Sequence, residues 1–295
     1  CYKNLDNRED ALKYYLKAVE LDEEDMYSLS DIAWLYDSFG KYEEALKYSL
    51  MLENFEELKD SIYLLSNIAN LYEEKQDYKE QLKYLEKIEK IGIDDPQFYI
   101  KYGYCLMFLE YYREAISKFE KSLGAGKDTY CISQIAFCYR NLGEYEKSLR
   151  YYLKAESLGR EDAWINLEIG LCYKELLDFE KSLAHYLKAY EDEIYKYNTS
   201  LLLEIARIYN IFDNYTEAFK FLVRVSEMSK KSKDICIEMG KCLIGLGRYE
   251  EAIENFLEAR SFSLEVGNST YEEDEKLAYC YEILGDNEKA KEYKK

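Results

Sequence analysis

The sequence predicts an all-α fold made of one helix hairpin repeated along the chain, and three observations predict it. First, Thr129–Ala155 reads as two amphipathic helices around a glycine. Ile132, Ile135, Ala136 and Tyr139 follow helical spacing, Gly143 ends the first helix, and Leu149, Tyr152 and Ala155 share one side of a second helix from about Tyr145. Second, the same pattern starts at Met26, Ile62, Pro96, Thr129, Ala163, Thr199, Lys233 and Tyr271, at intervals of 36, 34, 33, 34, 36, 34 and 38 residues. Third, fixed places in the pattern hold fixed residue types. The eighth is always small (Ala33, Ala69, Gly103, Ala136, Gly170, Ala206, Gly240, Ala278), and the eleventh is Tyr, except for Leu106 and Leu243. Small residues let two helices approach closely, and the tyrosine fills the space beside them.

Taken in order, residues 1–25 supply a partial unit, an orphan second helix with Ala11, Tyr15 and Ala18 facing inward. Unit 26–61 turns at Gly40. In unit 62–95 the twentieth place is Gln81, where other units carry Ala or Ser. That substitution predicts a looser contact or a side chain that reaches past the neighbouring helix. Units 96–128, 129–162 and 163–198 are the most regular, and Glu191–Asn198 lengthen the connection after the last of them. Pro96, the only proline, opens a helix where its missing N–H costs nothing. Unit 199–232 is followed by 233–270, whose long exit, Ser261–Thr270, breaks at Gly267 and Asn268. Residues 271–295 form a second partial unit. Glu43-Glu44 and Glu250-Glu251 lie early in second helices and suit the positive end of the helix dipole. Cys1 and Tyr2 occupy the tenth and eleventh places of a unit whose beginning is missing, and Lys295 falls midway through a second helix. The expectation is therefore a piece of a longer protein, from which a signal or anchor could have been removed.

In period, small residues and tyrosine, the whole chain resembles the tetratricopeptide repeat (TPR) family. It departs from that family in lacking the usual proline at the unit boundary. The resemblance implies a right-handed superhelical solenoid of stacked antiparallel hairpins, one array over residues 1–295, with a binding role. It names no partner.

The formal net charge of −19 excludes classes of partner. Such a surface repels phosphate backbones and anionic headgroups, so neither nucleic acid nor membrane is expected. No apolar run approaches the roughly 18 residues of a membrane span; the longest, Tyr102–Leu109, contains Gly103. Of eight cysteines, Cys1, Cys105, Cys138, Cys172, Cys242 and Cys280 fall at the tenth place of their units, each a repeat away from its nearest equivalent. Neither this register nor the Cys131/Cys138 and Cys236/Cys242 spacings match zinc ligands, so the thiols are read as small buried hydrophobes in a reducing, cytoplasmic setting. No metal and no cofactor is expected. His185, the single histidine, is read as a partly exposed surface residue. With no phosphate-cradling loop and no nucleophile elbow, the chain is read as non-catalytic.

Function is sought on the first helices. Their fourth, seventh, eighth and eleventh places form the core stripe, and the second, fifth, ninth and twelfth lie opposite. That opposite side, with the thirteenth place, should be polar but carries Tyr27, Trp34, Tyr63, Tyr104, Phe108, Tyr130, Phe137, Trp164 and Tyr279, with Ile100, Leu167, Leu171 and Leu203. Even half exposed, nine rings of roughly 150–250 Å² each exceed the few hundred Å² of apolar patch usual on a soluble monomer. By the resemblance, this side lines the concave groove. Mutual packing of neighbouring first helices is the alternative use of these rings. Asn67 and Asn70 share the face and could hold an extended peptide backbone. Arg140, Lys174, Arg207, Lys241 and Lys276 could favour an acidic segment or pair with surface carboxylates. No fifth place carries Lys, which argues against the C-terminal carboxylate clamp of some family members. The expected function is a scaffold that binds a peptide segment of a protein partner, with Trp34, Phe137 and Trp164 as anchors. A peptide-sensing half of a bacterial signalling protein, with its effector outside this chain, is the alternative. End-to-end self-association is also compatible with the pattern.

Overall fold

The computed structural model describes residues 8–124 and 128–294. Helix α1 (Arg8–Leu21) precedes α2 (Met26–Ser38) and α3 (Tyr42–Glu53), α4 (Ile62–Glu74) and α5 (Tyr78–Ile91), and α6 (Pro96–Phe108) and α7 (Tyr112–Leu123). Then come α8 (Thr129–Asn141) and α9 (Tyr145–Ser157), α10 (Ala163–Glu175) and α11 (Phe179–Tyr190), and α12 (Thr199–Ile211) and α13 (Tyr215–Met228). Last are α14 (Lys233–Gly245) and α15 (Tyr249–Glu265), and α16 (Tyr271–Ile283) and α17 (Asn287–Tyr293). A 3-10 turn, Tyr195–Tyr197, lies in the lengthened connection before α12. The fold is all-α: no strand occurs among the described residues. The chain breaks after α15 at Gly267, left-handed at φ 73°, where the sequence places it, but the helix itself continues through Ser261 to Glu265.

Local chemistry explains why the first helices, α2 to α16 in even numbers, all start in register. Asp25, Ser61, Asp95, Asp128, Asp162, Asn198 and Ser232 each stand one residue before such a helix, and their side chains accept hydrogen bonds from first-turn N–H groups. Each cap is worth about 1 kcal/mol. These caps do the punctuating for which a boundary proline is otherwise used. The turn is equally regular. At the fifteenth place of every unit, from Gly40 to Gly285, the backbone is left-handed, with Gln76, Glu110, Leu177 and Asp213 in four of the eight positions. Leu177 sits at φ 62° with its side chain 74% exposed, so it bears steric strain with little packing in return. Leu177→Gly is expected to stabilise the protein by about 1 kcal/mol, net of the extra freedom glycine gives the unfolded chain. A urea midpoint that does not rise would show that the leucine is held by contacts instead.

The chain packs as two compact units, Cys1–Tyr151 and Tyr152–Lys295, each with its own core. In the first, Leu29, Leu65, Ile68, Leu85, Ile88, Tyr102 and Phe119 are buried in one cluster. In the second, Phe256, Leu277, Leu222 and Leu243 form one cluster, and Tyr186, Leu201 and Ile205 another. Size matching inside the hairpin sets how closely its helices approach. A Cβ on Gly103 would lie 2.7 Å from the Phe119 ring, one on Gly170 2.5 Å from Tyr186, and one on Gly240 2.6 Å from Phe256.

Gln81 bonds to the neighbouring helix of its own hairpin instead of reaching past it. It is buried, and its Nε2 donates to Glu73 Oε2 on α4 at 3.2 Å. The seven described cysteines are all buried, while Cys1 lies outside the described residues. Two thiols tie consecutive hairpins: Cys105 donates to the Tyr78 carbonyl at 3.3 Å and Cys242 to that of Tyr215 at 3.1 Å. His185 is partly exposed, as the sequence suggests. It is half-buried, with Nδ1 3.0 Å from Asn166 Oδ1 and its ring stacked on Tyr173 at 5.7 Å, and burial pushes its pKa down. Its place beside Tyr173 covers one side of the ring.

Candidate functional site

The side of the first helices opposite their core stripe behaves differently in the two units. In the first unit it displays rings. Tyr27, Tyr63, Phe108, Tyr130 and Trp34 are exposed, Tyr27 by 80% and Tyr63 by 73%. Tyr104 and Phe137 are half-buried. Some of this area is already used. Tyr104 meets the buried Phe119 edge-on at 5.4 Å and leans on Tyr130 at 6.1 Å. Phe108, at the last turn of α6, stacks flat on Tyr78 at 4.4 Å. The Arg140 guanidinium covers the Phe137 ring at 4.7 Å, a cation–π contact. Asn70 accepts a hydrogen bond from Lys101 Nζ at 2.8 Å, which joins α4 to α6.

Three of the residues singled out from the sequence meet at one place. Trp34 on α2 with Tyr63 and Asn67 on α4 line a recess of about 160 Å³. Trp34 is 41% exposed. Ser30, Asp37, Ser49 and Ser61 complete the polar part of the wall, and Leu52, Leu58 and Leu71 are among its apolar lining. Ser30 and Asp37 were not singled out from the sequence. They occupy the fifth and twelfth places, on the outward stripe, so the signal was present in polar rather than aromatic form. A wider depression, about 690 Å³, lies among Lys59, Lys87, Lys90, Glu53 and Asp60, away from these rings.

In the second unit the corresponding side is mostly spent on the fold. Trp164 is half-buried, meets the buried Tyr152 edge-on at 5.8 Å, and carries Arg160 over its ring at 5.1 Å. Leu171 packs against the buried cluster of Tyr186 and Ile205, together with Leu167. Leu203 packs between two clusters. Arg207 pairs with Glu204 at 2.7 Å, Asp234 at 2.9 Å and Glu238 at 3.8 Å. Lys174 reaches Glu204 at 3.2 Å, and Lys241 reaches Glu238 at 3.5 Å and Glu272 at 3.3 Å. The result is a ladder of alternating charge from α10 through α12 and α14 to α16. Of the two uses open to these cations, pairing with surface carboxylates is the one the coordinates display.

Among the described residues, no group of three His, Cys, Asp or Glu side chains is placed to hold a metal ion, and no helix is long and apolar enough to cross a membrane. Hairpins of near-constant length, packed in sequence and presenting one side of each first helix, define a helical-repeat protein. Four stretches match the model of the tetratricopeptide repeat family: residues 1–25, 62–91, 131–162 and 234–260. Solved structures show the same fold. A tetratricopeptide repeat protein from Parabacteroides merdae ATCC 43184 is 14% identical over 86% of this chain and 98% of its own, with a TM-score of 0.58. YrrB, described as a TPR protein with an unusual peptide-binding site, is 22% identical over 60% of this chain and 91% of its own, with a TM-score of 0.51. MamA from residue 41 onward, from Desulfovibrio magneticus RS-1, is 20% identical over 58% of this chain and 97% of its own, with a TM-score of 0.52. No curated protein sequence matches the chain.

Proposed function

We propose that this chain is a non-catalytic interaction scaffold whose first unit takes a peptide segment of a protein partner along α2, α4, α6 and α8. The observation that carries the reading is the display of Tyr27, Trp34, Tyr63, Phe108 and Tyr130 on the side of amphipathic helices that should be polar. Exposed aromatic rings are the commonest anchors of protein interfaces. Peptide binding by YrrB, a protein of the same fold, is in keeping with it. Residues Trp164, Leu171 and Arg207 are left out of the proposed site, because packing and ion pairs occupy them.

The test uses a Trp164→Phe background, in which Trp34 is the only tryptophan and its emission reports locally. Peptides selected from a random library against the full chain are expected to shift that emission on titration. Tyr63→Ala is expected to weaken a selected peptide about tenfold or more, the effect of losing one anchor worth roughly 1.4 kcal/mol. Selected peptides that leave the emission unchanged, with affinities indifferent to Tyr63→Ala, would move the site off this face.

A further inference from the structure

We infer that the recess between α2 and α4 is a seat for one basic side chain, Lys or Arg, of the partner peptide, held between the Trp34 and Tyr63 rings and the Asp37 carboxylate. The inference deepens the interaction reading above and rests on it.

Four observations lead there. The first is size. About 160 Å³ is several times the ~30 Å³ share of one water but below the roughly 300–1,000 Å³ of small-molecule sites, so the recess suits a single long side chain. The second is the wall. Apolar side chains and two exposed rings would lie along an alkyl stem, while Ser30, Asn67 and Asp37 offer only oxygens and an amide to its head. The third is charge. Among the described residues no basic group pairs with Asp37 or with the nearby Glu74, whose negative charge adds to desolvation in holding the Asp37 carboxyl above its ordinary range. Glu74 is met instead by the Tyr42 hydroxyl, and the adjacent Lys75 turns to Glu43 at 3.3 Å. The contrast with the second unit is direct, since the carboxylates there on the same side of α12, α14 and α16 are matched by Lys174, Arg207 and Lys241. The fourth is a cation already on the ring. The Arg8 guanidinium of α1 stands 5.1 Å from the Trp34 centroid, outside the recess, so this indole accepts a cation at its face. An unpaired carboxylate beside exposed aromatic surface favours a positive ligand through both the Coulomb term and the ring quadrupole.

The experiment uses the full chain in the Trp164→Phe background and the library-selected peptides described above. Peptides that shift the Trp34 emission are expected to contain Lys or Arg. Replacing that residue by a neutral isostere, citrulline for Arg or norleucine for Lys, is expected to weaken binding about tenfold. Asp37→Asn is expected to weaken the parent peptide by a similar factor and to have little further effect on the neutral peptide. Glu146→Gln removes one exposed charge on α9, away from the recess, and is expected to leave affinity unchanged, which separates local pairing from the general attraction of an acidic protein. Peptides that shift Trp34 but are neutral or acidic, or a basic peptide indifferent to Asp37→Asn, would overturn the inference and leave the interaction face standing. Selection of peptides that never perturb Trp34, or of none at all, would overturn both.

Discussion

Gly103→Ala is expected to destabilise the first unit by about 1–3 kcal/mol, although the same change in an ordinary helix interior stabilises by roughly 1 kcal/mol. The added methyl carbon would stand 2.7 Å from Cε1 and Cζ of Phe119, and Phe119 is fully buried, so its ring has no free space to swing into. Gly170→Ala and Gly240→Ala carry the same expectation in the second unit, because Tyr186 and Phe256 are as enclosed. Each variant is checked by urea denaturation followed by circular dichroism. Phe119→Leu in the Gly103→Ala background should recover part of the loss, since it withdraws the ring atoms that clash. A Gly103→Ala protein as stable as the parent would mean that α6 and α7 separate at small cost and that the glycine is not what sets their approach.

Alkaline pH is expected to unfold the protein well before a surface-exposed set of thiols would do so. Burial pushes Cys105 and Cys138 up to about 12, and Cys236, Cys242 and Cys280 up to about 11, from an ordinary value of 9.0. Burial also raises Tyr84, Tyr102 and Tyr186. An acid whose folded pKa lies above its unfolded one holds its proton in the folded state while the unfolded chain releases it. Its contribution is therefore whole below about pH 9 and declines as pH rises towards 11–12. Each decade in that window costs about 1.4 kcal/mol per thiol, so by pH 11 one thiol has cost about 2.7 kcal/mol. Two of them then remove a large part of the 5–15 kcal/mol typical of a domain. The urea midpoint should be flat from pH 7 to 8 and fall steeply above 9. Cys105→Ala and Cys138→Ala, compared at pH 7.5 and 10.5, should show a smaller alkaline loss than the parent. An equal loss in parent and variants would assign the effect to the tyrosines.

Much of the fold is legible in the sequence because repetition averages out local ambiguity. A lone run such as Thr199–Ile211 gives a helix with uncertain ends, but eight aligned copies fix where each begins. The caps were there to be read as well: Asp25, Ser61, Asp95, Asp128 and Asp162 stand immediately before their helices. They carry the boundary signal that the missing prolines leave out. The pairing of Gly103, Gly170 and Gly240 with a ring sixteen residues on is in the sequence too, though only geometry shows that glycine and ring share one space. The face of the first helices was harder to read. Helical angle alone gives Trp34 and Trp164 the same standing, yet Trp34 borders a recess while Trp164 lies against Tyr152. What separates them is which neighbour reaches across, and no single helix encodes that. The same holds for Arg207, whose partners Asp234 and Glu238 lie in the next repeat.

The two kinds of fit run in different directions along the chain. Gly103 and Phe119 belong to one hairpin, as do Gly170 with Tyr186 and Gly240 with Phe256, whereas Cys105 and Cys242 reach back to the hairpin before. A hairpin thus carries its own lock, while thiol, amide and ion-pair contacts tie it to its neighbours. Duplication or excision of whole 34-residue modules would preserve every lock and ask for repair only at the new seam, a route by which arrays of this kind can lengthen or shorten without redesigning their interior.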